Sequence, residues 1–339
     1  MLKYIIKRLI MVIPVLLGVT IIIFMITRVL APDPAPVVLG EHATQEQMQA
    51  WREVHGLTDP IWKQYLSFVV NALHGDLGTS YYTHQPVTSE ILARFPATVE
   101  LAVCSIIVAS VIGVALGAVA AVRKNKLTDH ISMLIALVGV SMPIFWSGIL
   151  LIILFSGTLH VLPSNGRVSP MLEPSGGTRL FIIDTLMNGN FTALKDVLLH
   201  LVLPVTALSL YSMAIITRMT RSSMLDTLGE DYVRTARAKG LTERVVSIKH
   251  ALRNAMLPVS TVIGLQFGSL LGGAILTETV FSWPGIGKFT VDCVMKSDFP
   301  VVQGVVLLIA VVFVIINLAV DIIYAFLDPR IKYGTREEE

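Results

Sequence analysis

The sequence predicts an all-α integral membrane protein with six transmembrane helices, both termini cytoplasmic, and a cytoplasmic helix-turn-helix loop. Three observations carry this. Hydrophobic residues make up 54% of the chain and charged residues 15%, with a mean hydropathy of +0.72, outside the range of soluble domains. The apolar residues gather into six runs, each close to the roughly 20 residues that cross a bilayer core of about 30 Å. Lys and Arg are unevenly divided between the two sides, seventeen against eight, with Arg28 at the end of the first run left aside. The positive-inside rule puts the richer side, which holds both termini, in the cytoplasm.

Taken in order, the first run covers 9–30 and closes an N-terminal unit, 1–30. It is too long for a cleavable signal and lacks a small-residue cleavage site, so it reads as a retained span. Residues 31–97 form an extracytoplasmic loop that opens with the turn Pro32-Asp33-Pro34. Within it, Thr44 to Val54 reads as a capped helix and Pro60 to Leu73 as an amphipathic one. A five-helix core, 98–327, follows, with spans at 98–122, 131–156, 198–217, 257–280 and 301–327, and a short tail, 328–339, ends the chain. Pro143, Pro204 and Pro258 are expected to kink or begin spans. The second outer loop, 157–197, is rich in Gly, Pro and Asn, and its apolar stretch 180–186 suits the membrane surface or a span. Cys104 and Cys293 are the only cysteines, one in a span and one in a predicted short loop. They suggest no disulfide framework, and no His/Cys cluster has metal-ligand spacing.

The segment 218–256 is the exception to this apolar pattern, with eight Lys/Arg against four acids. Thr227 and Glu230 have capping-box spacing, which predicts a helix from about Leu228 to Lys239. Gly240 can take the left-handed conformation that stops it, and Thr242 can cap a second helix through about Met256.

Tyr232-Val-Arg-Thr-Ala-Arg-Ala-Lys-Gly-Leu241 followed by His250-Ala-Leu-Arg-Asn-Ala-Met-Leu-Pro258 resembles the cytoplasmic coupling loop of ABC-importer permeases, in their dipeptide/oligopeptide/nickel branch. Gly75-Asp-Leu-Gly-Thr-Ser80, Ser141-Met-Pro-Ile-Phe-Trp146, Arg218-Met-Thr-Arg-Ser-Ser-Met-Leu225, Thr277-Glu-Thr-Val-Phe-Ser-Trp-Pro-Gly285 and Asp328-Pro-Arg330 resemble the same family, so the likeness runs almost end to end. It is thinnest in the first outer loop. Arg234 and Thr235 stand where the broader importer motif has Glu and Ala, a departure that the peptide branch shares.

The resemblance implies a permease subunit of a bacterial inner-membrane importer, surrounded by lipid and without a nucleic-acid partner. A second homologous permease would complete the route, two cytoplasmic ATPases would bind ATP and Mg, and an extracytoplasmic binding protein would deliver substrate. Glu230, Arg234, Ala236, Arg237, Lys239 and Gly240 become the candidate coupling residues. The overall pattern favours dipeptides or short oligopeptides as cargo, with glutathione or a nickel chelate as alternatives. The chain has no phosphate loop of its own, since Gly285-Ile-Gly-Lys-Phe289 lacks the glycine spacing and the hydroxyl residue. Zinc-protease and serine-hydrolase signatures are missing too, which disfavours an intramembrane enzyme.

A polar route must still pass through hydrocarbon. Gln266 and Ser269 in the fifth span, and Asn317 and Asp321 four residues apart in the sixth, are the candidates. Gly264, Gly268 and Gly272 at four-residue spacing suggest close helix packing. An ion-coupled secondary transporter would need coupling groups within the spans, and only Asp321 qualifies.

Overall fold

A computed structural model describes residues 2–40 and 42–327 of the 339-residue chain. Among these, every regular element is a helix, with one isolated β-bridge between Thr79 and Pro86. Helix α1 is Leu2–Met25, and a π turn, Ile26–Leu30, continues it. The segment predicted as the first outer loop holds α2 (Pro34–Leu39), α3 (Gln45–Val54) and α4 (Ile61–Leu73). Next come α5 (Val87–Val122), α6 (Leu127–Ser141), α7 (Ile144–Leu151) with a π turn to Thr158, and α8 (Phe181–Met187). Helix α9 (Phe191–Leu228) leads into α10 (Asp231–Ala238). The remaining helices are α11 (Glu243–Val245), α12 (Arg253–Gly273), α13 (Ile275–Val280), α14 (Ile286–Met295) and α15 (Phe299–Leu327).

Among the described residues, five helices are long and apolar enough to cross a membrane, or six if the bent pair α6–α7 counts as one span. The straight span predicted at 131–156 is therefore corrected: its two halves meet at 103°. Pro143 explains the break, since it cannot donate to the preceding turn and it holds Met142 in an extended conformation, ψ 129°. Pro204 and Pro258, by contrast, lie inside unbroken helices. The predicted span 257–280 is corrected too, because the spanning helix ends at Gly273 and Ile275–Val280 is a separate short helix. Cys293 sits on α14 rather than in a loop, and its burial pushes the thiol up to about 12. The two short helices expected in the first outer loop are present. Thr44 caps α3 with a full capping box to Gln47, 3.2 Å one way and 2.9 Å the other. The predicted tail 328–339 lies outside the described residues.

The described residues form two compact units: Val99–Trp283 with 315–327, and Leu2–Thr98 with Pro284–Val314. The first is organised around α9, against which α6, α7, α8 and α12 pack. One buried face of α9 runs from Ala193 through Ala207 and Ile216 to Met224. Backbones approach closely there: a Cβ on Gly117 of α5 would stand 2.6 Å from the Thr217 carbonyl oxygen. Such contact needs a residue without a side chain.

In the second unit, Phe24 of α1 packs edge-on against Tyr65 of α4 at 5.3 Å. A separate apolar core joins Ile23, Val87, Ile91, Ile286, Val302 and Val305. Just before α15, Asp298 accepts hydrogen bonds from Ser80 Oγ (2.6 Å) and the Tyr81 N–H (3.1 Å), tying the 80s stretch to that helix. Burial holds the Asp298 carboxyl above the usual carboxylate range, against the pull of those two donors.

Candidate functional site

The charged segment between α9 and α12 is a small folded body. Helix α9 runs on to Leu228, so Thr227 lies within its last turn and its hydroxyl donates to the Ser223 carbonyl at 2.7 Å. The capping box predicted for Thr227 and Glu230 therefore does not form. Glu230 is instead the N-cap residue of α10, through its extended backbone and without a side-chain cap. Asp231 in the first turn and Arg237 in the last oppose the helix dipole.

Helix α10 ends in paired backbone bonds, Gly240 N–H to Arg237 O (2.9 Å) and Leu241 N–H to Ala236 O (3.4 Å). This is the Schellman pattern, and it requires the positive φ of +79° that Gly240 adopts. Beyond the turn, Arg237 Nε donates to Glu243 Oε1 at 2.8 Å and braces the two arms. Beneath it Val233, Ala236 and Val246 are buried together, with Leu228 against them. Ala236 thus serves the segment's own core. Arg234, Arg237, Lys239 and Gly240 lie on the exposed side with Tyr232, Leu241 and Ile248.

A clamp holds the helix that leads into this body. Asp129 at the start of α6, 2% exposed, takes a forked pair of bonds from Arg221 of α9, at 2.7 and 2.8 Å, and a third from the Asn125 N–H at 2.9 Å. The far arm has no hinge. From Glu243 the helix passes through a π turn, Val246–Leu252, into α12 with right-handed helical dihedrals at both joins.

The predicted route residues do not gather into one constellation. Gln266 Oε1 accepts from Ser212 Oγ of α9 at 3.1 Å, so part of its polarity holds two helices together. Ser269 is exposed, and Asn317 Oδ1 is buried without a hydrogen-bond partner among the described residues. The Asp321 side chain lies outside those described. Gly264 does pack closely, since a Cβ there would stand 2.1 Å from Val320 Cγ2 of α15. These two residues border an almost wholly apolar cavity of about 450 Å³, together with Val103, Ile106, Phe267 and Ile316.

Elsewhere in the same unit, sequence reasoning missed a buried pair. Arg167, in the loop before α8, donates through Nε to Glu100 Oε2 at 2.9 Å, while Glu100 Oε1 accepts from the Ile182 N–H at 2.8 Å. The Arg167 guanidinium lies 3.7 Å over the Phe181 ring and also donates to the Arg179 carbonyl oxygen. A signal was present: Glu100 falls inside a predicted hydrophobic run, where a carboxylate calls for a basic partner.

This architecture defines a class, and comparison with known proteins agrees. The chain belongs to the binding-protein-dependent transport system inner membrane components: the model of that family matches residues 113–333, and the model of its N-terminal part matches residues 1–102. Among individual relatives, it is 46% identical over 337 residues to the dipeptide transport system permease protein DppB of Escherichia coli (strain K12), covering 98% of this chain and 99% of the relative. It is 47% identical over 333 residues to DppB of Alkalihalophilus pseudofirmus, covering 98% and 100%. The glutathione transport system permease protein GsiC of Escherichia coli O6:H1 is 41% identical over 333 residues, again covering 98% and 100%. The sequence-based expectation of a peptide-class importer permease is met.

Proposed function

We propose that this chain is a transmembrane subunit of a binding-protein-dependent importer that carries dipeptides or short oligopeptides across the bacterial inner membrane. The similarity to dipeptide permeases at both ends and throughout the middle of the chain is the observation that carries this reading. The chain has no catalytic role of its own. ATP, with Mg, is hydrolysed on two cytoplasmic partner subunits; a second homologous permease completes the route, and an extracytoplasmic binding protein supplies the peptide. Both termini and the segment 230–253 face the cytoplasm, as the Lys/Arg distribution supports.

The segment is the coupling element. Its exposed residues Arg234, Lys239, Leu241 and Ile248 dock on an ATPase, while the Arg237–Glu243 brace and the Schellman turn keep it rigid. Movement of the ATPases is passed along the continuous helix into α12 and, through the Asp129–Arg221 clamp, to α6 and α9. The likeness to the glutathione permease supports a second cargo, a γ-linked tripeptide, on the same machinery.

Uptake of labelled dialanine and of labelled glutathione into proteoliposomes holding the complete importer tests both cargoes. Uptake should require ATP and survive collapse of the proton gradient. Uptake driven by the gradient without ATP would indicate an ion-coupled transporter.

A further inference from the structure

A cavity of about 330 Å³ lies in the unit formed by Leu2–Thr98 and Pro284–Val314. Most of its lining is polar and is drawn from α1, α4, the 76–81 stretch and α15. Arg28 enters it from the π turn that ends α1. Widened turns of this kind recur at functional sites, because the extra residue re-aims a side chain at the cost of ladder geometry. This one is anchored: the Thr27 hydroxyl donates to the Ile23 carbonyl at 2.7 Å and accepts a hydrogen bond from Gln303, which itself lines the cavity.

The donors here are unspent. Arg28 Nε and Nη1 are buried with no hydrogen-bond acceptor among the described residues, and the Tyr81 hydroxyl on the same wall lies against the Arg28 guanidinium with no other partner. Of the cavity's two carboxylates, Asp59 pairs with Lys63 Nζ at 2.9 Å and Asp76 accepts the Gly78 N–H at 2.8 Å, and neither accepts from Arg28 Nε or Nη1. Arg28 is half-buried, and desolvated guanidinium N–H groups that meet no acceptor are costly, so the site is suited to an anion. The fork of a guanidinium matches the two oxygens of a carboxylate, and a phenol beside it adds a third donor. The volume is at the small end of ligand pockets, which run from about 300 to 1,000 Å³, and suits the end of a short peptide.

We propose that this cavity is a peptide-carboxylate subsite, in which Arg28 and the Tyr81 hydroxyl grip the C-terminal carboxylate of the transported peptide. The proposal rests on the dipeptide reading and adds a second point of recognition, on the permease itself.

The test uses the importer complex in nanodiscs without its binding protein, so that weak binding to the membrane subunits is seen alone. Saturation-transfer NMR compares the affinity of dialanine with that of dialanine amide, whose terminus carries no charge. The wild-type complex should prefer the free carboxylate by about tenfold or more, the loss expected when charge-assisted hydrogen bonds are removed. That preference should vanish in Arg28→Met, fall partway in Arg28→Lys, and drop severalfold in Tyr81→Phe. Equal binding of the two peptides to wild type overturns the proposal, as does a preference that survives both Arg28→Met and Tyr81→Phe. If an Arg28 variant unfolds at lower temperature without peptide, the wild-type comparison and Tyr81→Phe decide the matter. Dialanine uptake by the complete importer is measured alongside. Uptake with no carboxylate preference refutes only the subsite, whereas absent uptake refutes the cargo reading on which it stands.

Discussion

Gly240 offers a prediction whose magnitude can be worked from the structure. A side chain placed there meets no atom within 4 Å, so substitution costs nothing in packing. The whole penalty is conformational: φ is +79°, where an ordinary residue pays about 1–2 kcal/mol and a β-branched one the upper end. The segment can barely absorb this. Its own core rests on Val233 and Val246, each contributing about 1.5–3 kcal/mol on burial. The Arg237–Glu243 bridge is largely exposed and adds less than about 1 kcal/mol. A loss of 1–2 kcal/mol changes a population by a factor of about 5–30. Gly240→Val should therefore lower peptide uptake per ATP hydrolysed by up to that factor, while the chain stays inserted and the ATPases keep turning over. Gly240→Asn, which tolerates the left-handed region, should stay near wild type, and Gly240→Ala should fall between. Uptake and ATP hydrolysis in the same proteoliposomes give the ratio. A valine variant with wild-type coupling, or one equal to the asparagine variant, would refute the argument.

Three further outcomes follow from the helix contacts. Arg221→Met leaves the nearly buried Asp129 carboxylate without its forked partner and should destabilise the complex by about 3–5 kcal/mol; Asp129→Asn in the same chain should recover much of this in thermal unfolding. Gly264→Ala forces a Cβ against Val320 and should cost about 1–3 kcal/mol, and Val320→Ala should rescue it, whereas failure of the rescue would place the strain elsewhere. Glu100→Gln removes the charge facing the buried Arg167 guanidinium. It should speed trypsin cleavage at Arg167 and Arg179, and unchanged cleavage would show that the loop is held by other contacts.

The helical, span-rich fold was largely legible in the sequence because bilayer-length apolar runs are a one-dimensional signal. Local chemistry was legible where a motif is contiguous, as with the Thr44 cap and the Gly240 turn. It misled at Thr227, where capping-box spacing sits inside a helix that tertiary packing prolongs to Leu228. It also misled at 131–156, where Pro143 turns the chain through 103° instead of kinking it. The pairs Asp129–Arg221 and Glu100–Arg167 join residues 92 and 67 positions apart. No local pattern encodes such a pairing, since each charge looks like an ordinary loop or span-end residue until the helices are assembled.

The central claim is that the segment around Gly240 docks on an ATPase. The most direct measurement is a cross-link from Lys239→Cys, in a chain whose Cys104 and Cys293 are replaced by serine, within native membranes. A short thiol-to-amine reagent, followed by mass spectrometry of the joined peptides, identifies the partner. The account predicts one dominant product, linking residue 239 to a protein that contains a phosphate loop, with a yield that changes when ATP binds. Cross-links only to lipid-facing proteins or to none, in membranes that still take up peptide, would contradict it.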